Sequence, residues 1–176
     1  MWRHPAEGGG GCDLDTVSPM GMTLGYVEVT PQQLDGVLND GEKAEELYDE
    51  IASEDDALNG FVEKAWDGLQ YLLDRAGVDV DLRMDGEPID YDGEEYTGFD
   101  ADLVRSIADA LDAAPFEKLA AHYDPADMMA RNVYPGIWDS HAEDELEYLR
   151  ENYDTLRTFF ATAARNGNAA LGCFSF

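Results

Sequence analysis

Residues 140–176 read SHAEDELEYLRENYDTLRTFFATAARNGNAALGCFSF, and the change of period within them decides the fold. Leu146, Leu149, Tyr153, Leu156, Phe160 and Ala163 recur at alternating steps of three and four, which is one stripe of an amphipathic helix. Ser140-x-x-Glu143 has the spacing of a capping box at the start, and Gly167 supplies a left-handed stop at the end. About 26 residues of helix predict a rod of roughly 39 Å. Asn168–Phe176 (NAALGCFSF) then reads as a buried terminal strand. A dimeric coiled coil needs about three or four heptads, which this stripe barely reaches. The helix is therefore expected to pack across its own sheet, and a monomer is expected rather than a dimer.

Upstream, the same two periods alternate between short punctuation marks. Thr23–Val29 (TLGYVEV) predicts a strand with Leu24 and Tyr26 on one face and Val27 and Val29 towards the other. Thr30-Pro31-Gln32-Gln33 carries an N-cap, a proline at N1 and the glutamine of a capping box, so a short helix follows to about Leu38. Glu42–Ala52 predicts a very acidic helix with Leu47, Tyr48 and Ile51 inward. Glu63–Ala76 sets Trp66, Leu69, Leu72, Leu73 and Ala76 at helical spacing before a stop at Gly77. Between Gly77 and Gly98, three glycine or proline breaks leave either one short strand or a long loop. Asp100 caps a helix over Ala101–Ala113, Pro115 opens a short one, and Asp124-Pro125 caps another. The sum is an α/β (mixed α–β) domain over residues 20–176. Residues 1–19, with four consecutive glycines and no periodicity, read as a flexible N-terminal extension, and Met20 is a candidate start site.

Composition narrows the function more by exclusion than by indication. Hydrophobic residues at 44% are enough for a packed core, which rules out a wholly disordered chain. The 39 acidic and 11 basic residues leave a net charge of −28. Such a charge repels nucleic-acid phosphates and anionic membrane surfaces over a Debye length of about 8 Å at physiological salt. No nucleic acid and no membrane are therefore expected as partners, whereas a basic protein partner suits the charge. Only Lys43, Lys64 and Lys118 are lysines, so much of the acidity is a general solvating property. Cys12 and Cys173 form neither a disulfide framework nor a metal knuckle, and no apolar stretch approaches a membrane span. The cytoplasm is the expected location.

An ordered set of residues carries a family resemblance. It comprises Met20-Gly21-Met22 with its strand and Thr30-Pro31 turn, Lys64-Ala65-Trp66 with Leu69, Leu72 and Leu73, and Gly86-Glu87-Pro88-Ile89. Tyr123-Asp124-Pro125 with Met128 and Tyr134-Pro135-Gly136-Ile137-Trp138 follow. From Met20 onward the chain resembles the YfbM-like family, bacterial proteins of unknown function. The resemblance implies a small mixed β-sheet packed with several helices, and it implies no activity. In one respect the chain departs from the family, whose tryptophan helix carries histidine near the positions of Asp67 and Gln70. A histidine-dependent chemistry on that helix is not open to this chain.

No catalytic motif emerges. There is no phosphate-binding G-x-x-x-x-G-K-[ST] loop, no G-x-S-x-G elbow and no H-E-x-x-H. The acidic stretch from Asp81 fails as a calcium loop, because Arg83 stands at its third position and Asp92 at its twelfth. No metal site and no cofactor are expected. Tyr134-Pro135-Gly136-Ile137-Trp138 is the most informative stretch, with two large aromatics around a turn that suits a cis proline. The two either plug the core or line a pocket with Trp66 and Gln70 opposite, as aromatic walls with a few polar groups do in ligand sites. Two functions follow as expectations. The first is a non-catalytic cytoplasmic binding protein, inhibitor- or immunity-like, that engages a protein partner with an acidic surface. The alternative is a small-molecule binder or enzyme using Trp66, Gln70, Tyr134 and Trp138.

Overall fold

The computed structural model describes residues 21–89 and 93–176. The extension expected over 1–19 and the candidate start at Met20 lie outside the described residues. Strand β1 (Thr23–Val29) leads through Thr30 into α1 (Pro31–Val37), where the predicted capping box forms in both directions. Asp40 caps α2 (Gly41–Ala52) by accepting the Lys43 N–H at 3.3 Å. Helix α3 (Trp66–Ala76) ends on Gly77 at φ 70°, a left-handed stop that glycine adopts without strain.

Residues 77–98 hold more order than expected. They contain a hairpin of β2 (Glu87–Ile89) and β3 (Glu95–Phe99) rather than one short strand or a loop. These strands are short and exposed at their first residues, so no alternation long enough to be read from sequence exists. Helices α4 (Ala101–Asp112), α5 (Phe116–Ala120) and α6 (Pro125–Ala130) follow, with Asp100 and Asp124 capping the first and third. The long helix α7 (Ala142–Asn166) precedes β4 (Ala169–Ser175), as the closing stretch predicts. Its start differs from the Ser140/Glu143 box. His141 is the N-cap, its side chain caps nothing, and its N–H donates to Glu145 Oε1 at 2.9 Å.

The sheet runs β1-β4-β3-β2 and is antiparallel at all three pairings, where the resemblance implied a mixed one. The terminal strand β4 therefore lies in the middle, which explains its unbroken apolar sequence. Phe174, Gly172 and Ala170 face one layer, and Cys173, Leu171 and Ala169 the other. The larger core packs α3, α4, α5, α6 and α7 against Leu24, Tyr26, Phe99 and Phe174, with the Tyr26 ring against those of Phe99, Phe159 and Phe160 at centroid distances of 5.2–5.7 Å. The smaller core sits under α1 and α2 around Val27, Leu34, Val37, Tyr96 and Leu171. The apolar stripe of α7 is spent inside the domain, since Leu149, Tyr153, Leu156 and Phe160 are buried. The Tyr153 hydroxyl also donates to Ala114 O at 2.6 Å, which ties α7 to the end of α4.

Candidate functional site

The four residues expected to form a pocket divide into two groups. Trp66 opens α3 and stacks on Tyr134 with ring centroids 6.1 Å apart, while its Nε1–H donates to Met22 O at 3.3 Å. Trp138 is fully buried. Its Nε1–H donates to Val133 O at 2.8 Å, and its ring lies against Gly68 of α3 and Leu149 of α7. Gln70 bonds backbone rather than either aromatic. Its amide donates to Val80 O and accepts the Leu82 N–H, each at 2.9 Å, so it pins the chain after α3. The Tyr134–Pro135 bond is cis.

What surrounds Trp66 was not legible in the sequence. The Arg83 guanidinium lies 3.6 Å from the Phe174 ring centroid and 5.2 Å from that of Trp66, and it pairs with Glu95 at 2.6 Å. This brings Phe174 of β4 to Trp66 and Arg83, more than ninety residues before it, and no local pattern announces it. Glu145 is likewise hidden. It is the buried charged residue among the described residues, 6% exposed, and its Oε2 has no hydrogen-bond partner. A carboxylate in the first turn of a long helix is favoured by the helix dipole, which accounts for its tolerance there.

A second polar cluster sits on the opposite face of the sheet. Glu94 accepts hydrogen bonds from Ser175 Oγ at 2.8 Å, from the Tyr96 hydroxyl at 2.9 Å and from the Cys173 thiol at 3.2 Å. Burial, and then the bond to Glu94, push the Cys173 thiol up to about 12, so the thiolate needed for nucleophilic work does not form near neutrality. The acidic turn at Asp81 is closed on itself. Asp81 Oδ1 accepts the N–H groups of Arg83 and Met84, and Asp85 Oδ2 accepts that of Asp81. None of His122, His141 or Cys173 belongs to a group able to hold a metal ion among the described residues.

The acidic surface has a definite shape. Of the eleven basic residues Arg3 lies outside the described ones, and seven of the remaining ten are held within ion-pair distance of a carboxylate. Little cationic charge is left to offset the acids. Along α2 and the turn after it, Glu42, Glu46, Asp49, Glu50, Glu54, Asp55 and Asp56 are all exposed. Lys43 is the one cation in that stretch, and it is engaged by Asp40 at 2.7 Å.

A four-stranded antiparallel sheet, covered by a helical pair on one face and by the remaining helices on the other, defines a mixed α–β domain closed by its C-terminal helix and strand. The chain belongs to the family described as a domain of unknown function, DUF1877, whose model matches residues 20–172. It is YfbM-like: its structure is similar to that of a protein of unknown function, YfbM from Escherichia coli, with a TM-score of 0.63. That likeness covers 86% of this chain and 99% of the other at 16% identity, which is a likeness of fold. No curated protein matches. No helix among the described residues is long and apolar enough to cross a membrane.

Proposed function

We propose that this chain is a non-catalytic cytoplasmic binding protein, monomeric, that engages a basic protein partner through its acidic surface in an inhibitor- or immunity-like role. The carrying observation is the ridge of exposed carboxylates on α2 and residues 54–56, in a chain whose basic residues are mostly held in ion pairs of their own. Fields of one sign speed association with an oppositely charged partner and weaken with salt. The alternative, a small molecule held by Trp66, Gln70, Tyr134 and Trp138, has less support. Trp138 is a core plug, Gln70 is bonded on both sides to backbone, and none of the four lines a described cavity. The test is affinity capture from native lysate with the full chain and with a Glu46→Lys, Glu50→Lys, Asp55→Lys variant. A basic protein retained by the native chain at low salt, released by high salt and lost with the variant is expected. Recovery of no basic protein at low salt overturns the reading.

A further inference from the structure

The outer edge of β1 is covered by an irregular stretch of chain rather than by a fifth strand. Tyr26 N–H donates to Gly60 O at 3.2 Å, Leu24 N–H to Glu63 O at 3.1 Å, and Val62 N–H to Leu24 O at 3.0 Å. Between this stretch and the C-terminal turn of α2 runs a groove of about 460 Å³, walled by Tyr48, Ala52, Leu58 and Phe61. Phe61 is 49% exposed although its own N–H is held by Asn59 Oδ1 at 2.9 Å. Its ring is thus presented by an anchored backbone. Gly25 on β1 makes room beneath: a Cβ there would stand 2.6 Å from the Tyr48 hydroxyl and 2.9 Å from Phe61 Cδ2. Glu54 is on the rim, and the exposed Asp49, Glu50, Asp55 and Asp56 lie on the same helix end and turn.

Charge selects the occupant. A second copy of the chain brings another −28 to a rim of carboxylates, and nucleic acid or an anionic membrane meets the same repulsion. A small polar ligand finds few convergent groups, because Asn59 Oδ1 is already committed to Phe61 N–H. An apolar trough ringed by acids fits a protein segment with Lys or Arg on either side of a large apolar side chain. We infer that this groove docks a basic segment of a protein partner, seating one apolar side chain between Tyr48, Leu58 and Phe61 while its cations meet the α2 rim. The inference rests on the acidic-surface reading and adds to it the point of apolar anchorage. The rim governs encounter, and the buried side chain governs release.

Two labelled synthetic peptides of equal positive charge test this by fluorescence anisotropy with the full chain. One carries Leu-Phe between flanking Lys and Arg residues, and the other carries Gly-Ser in the same place. The Leu-Phe peptide is expected to bind on the order of tenfold more tightly. Phe61→Ala is expected to remove that advantage and leave the Gly-Ser peptide unaffected. Ala52→Trp, which fills the groove from an exposed helix end, is expected to do the same, with thermal melts as the check that both variants fold. Equal binding of the two peptides by the native chain, or an advantage that survives both substitutions, overturns the groove while leaving the acidic surface standing. Undiminished binding of both peptides by the Glu46→Lys, Glu50→Lys, Asp55→Lys chain overturns the acidic surface itself.

Discussion

The Asp67 carboxylate, on α3, accepts the backbone N–H of Tyr134 at 2.7 Å across 67 residues of sequence. Asp67 and Gln70 stand where the family resemblance implies histidine, and both serve here as clamps, Asp67 on the Tyr134 turn and Gln70 on Val80 and Leu82. Asp67→Ala leaves a half-buried N–H without its acceptor, and the expected loss is about 1–3 kcal/mol of stability. Asp67→Asn retains an acceptor oxygen and is expected to lose less. Urea denaturation of the three chains checks the order; an alanine variant as stable as the native chain would remove the clamp from the account.

Gly68 sets two effects against each other. Alanine in a helix interior gains about 1 kcal/mol over glycine. Here the added Cβ would meet Trp138 Cη2 at 2.6 Å and Leu149 Cδ2 at 2.9 Å. Overpacking of a core costs about 1–3 kcal/mol. Trp138 is fully buried and fixed by its bond to Val133 O, so it cannot yield cheaply, and the clash is expected to prevail. Gly68→Ala should lower the denaturation midpoint, and a raised midpoint would show that the Trp138 ring is free to shift.

These two positions show what the sequence discloses and what it withholds. Capping signals at Thr30, Asp100 and Asp124 are local, and each forms as its spacing predicts. The stripe of α7 and the apolar run of β4 are equally legible, because a helix period and a doubly buried strand are properties of contiguous residues. The β2–β3 hairpin has no such mark, being held by pairing with β4 more than seventy residues away. Among the site residues, the contact of Trp66 with Tyr134 was readable as two aromatics seeking a partner. Gln70 was not, since a glutamine amide bonds backbone as readily as a ligand. Phe61 gave no signal either: it follows a loop, and only the irregular cover of the β1 edge makes its exposure meaningful.

Cys173 offers a chemical check on the Glu94 cluster. Its thiol is buried, donates to Glu94, and is pushed up to about 12. In a Cys12→Ser chain, which leaves one thiol, a thiol reagent is expected to react far more slowly with the folded protein than with the urea-unfolded one. The folded rate should also keep climbing about tenfold per pH unit through pH 9 without levelling off, since the thiolate fraction of a group at about 12 is still rising there, whereas an ordinary thiol near 8.5 is by then mostly ionised. A fast reaction that follows a midpoint near 8.5 would mean that β4 opens readily at its end.

Asp127 ties α6 to α3 and carries the clearest pH dependence. It accepts from Arg75 and Tyr71 on α3 and from Arg131 Nε at 2.7 Å, and the Arg75 bond, followed by that of Tyr71, lowers its pKa from 3.8 to about 2. A carboxylate depressed in the folded state adds stability that is fully present above its unfolded value and is lost as the pH falls towards its folded one. Asp127→Asn is therefore expected to be less stable than the native chain at neutral pH, with the gap closing between about pH 4 and about pH 2. The other carboxylates titrate in both chains, so the difference between the two isolates this one. Because the group is open to solvent, high salt should narrow the gap as well. Urea midpoints measured across that pH range decide the matter: a gap that stays constant down to pH 2 would mean that Asp127 acts by packing and not by charge.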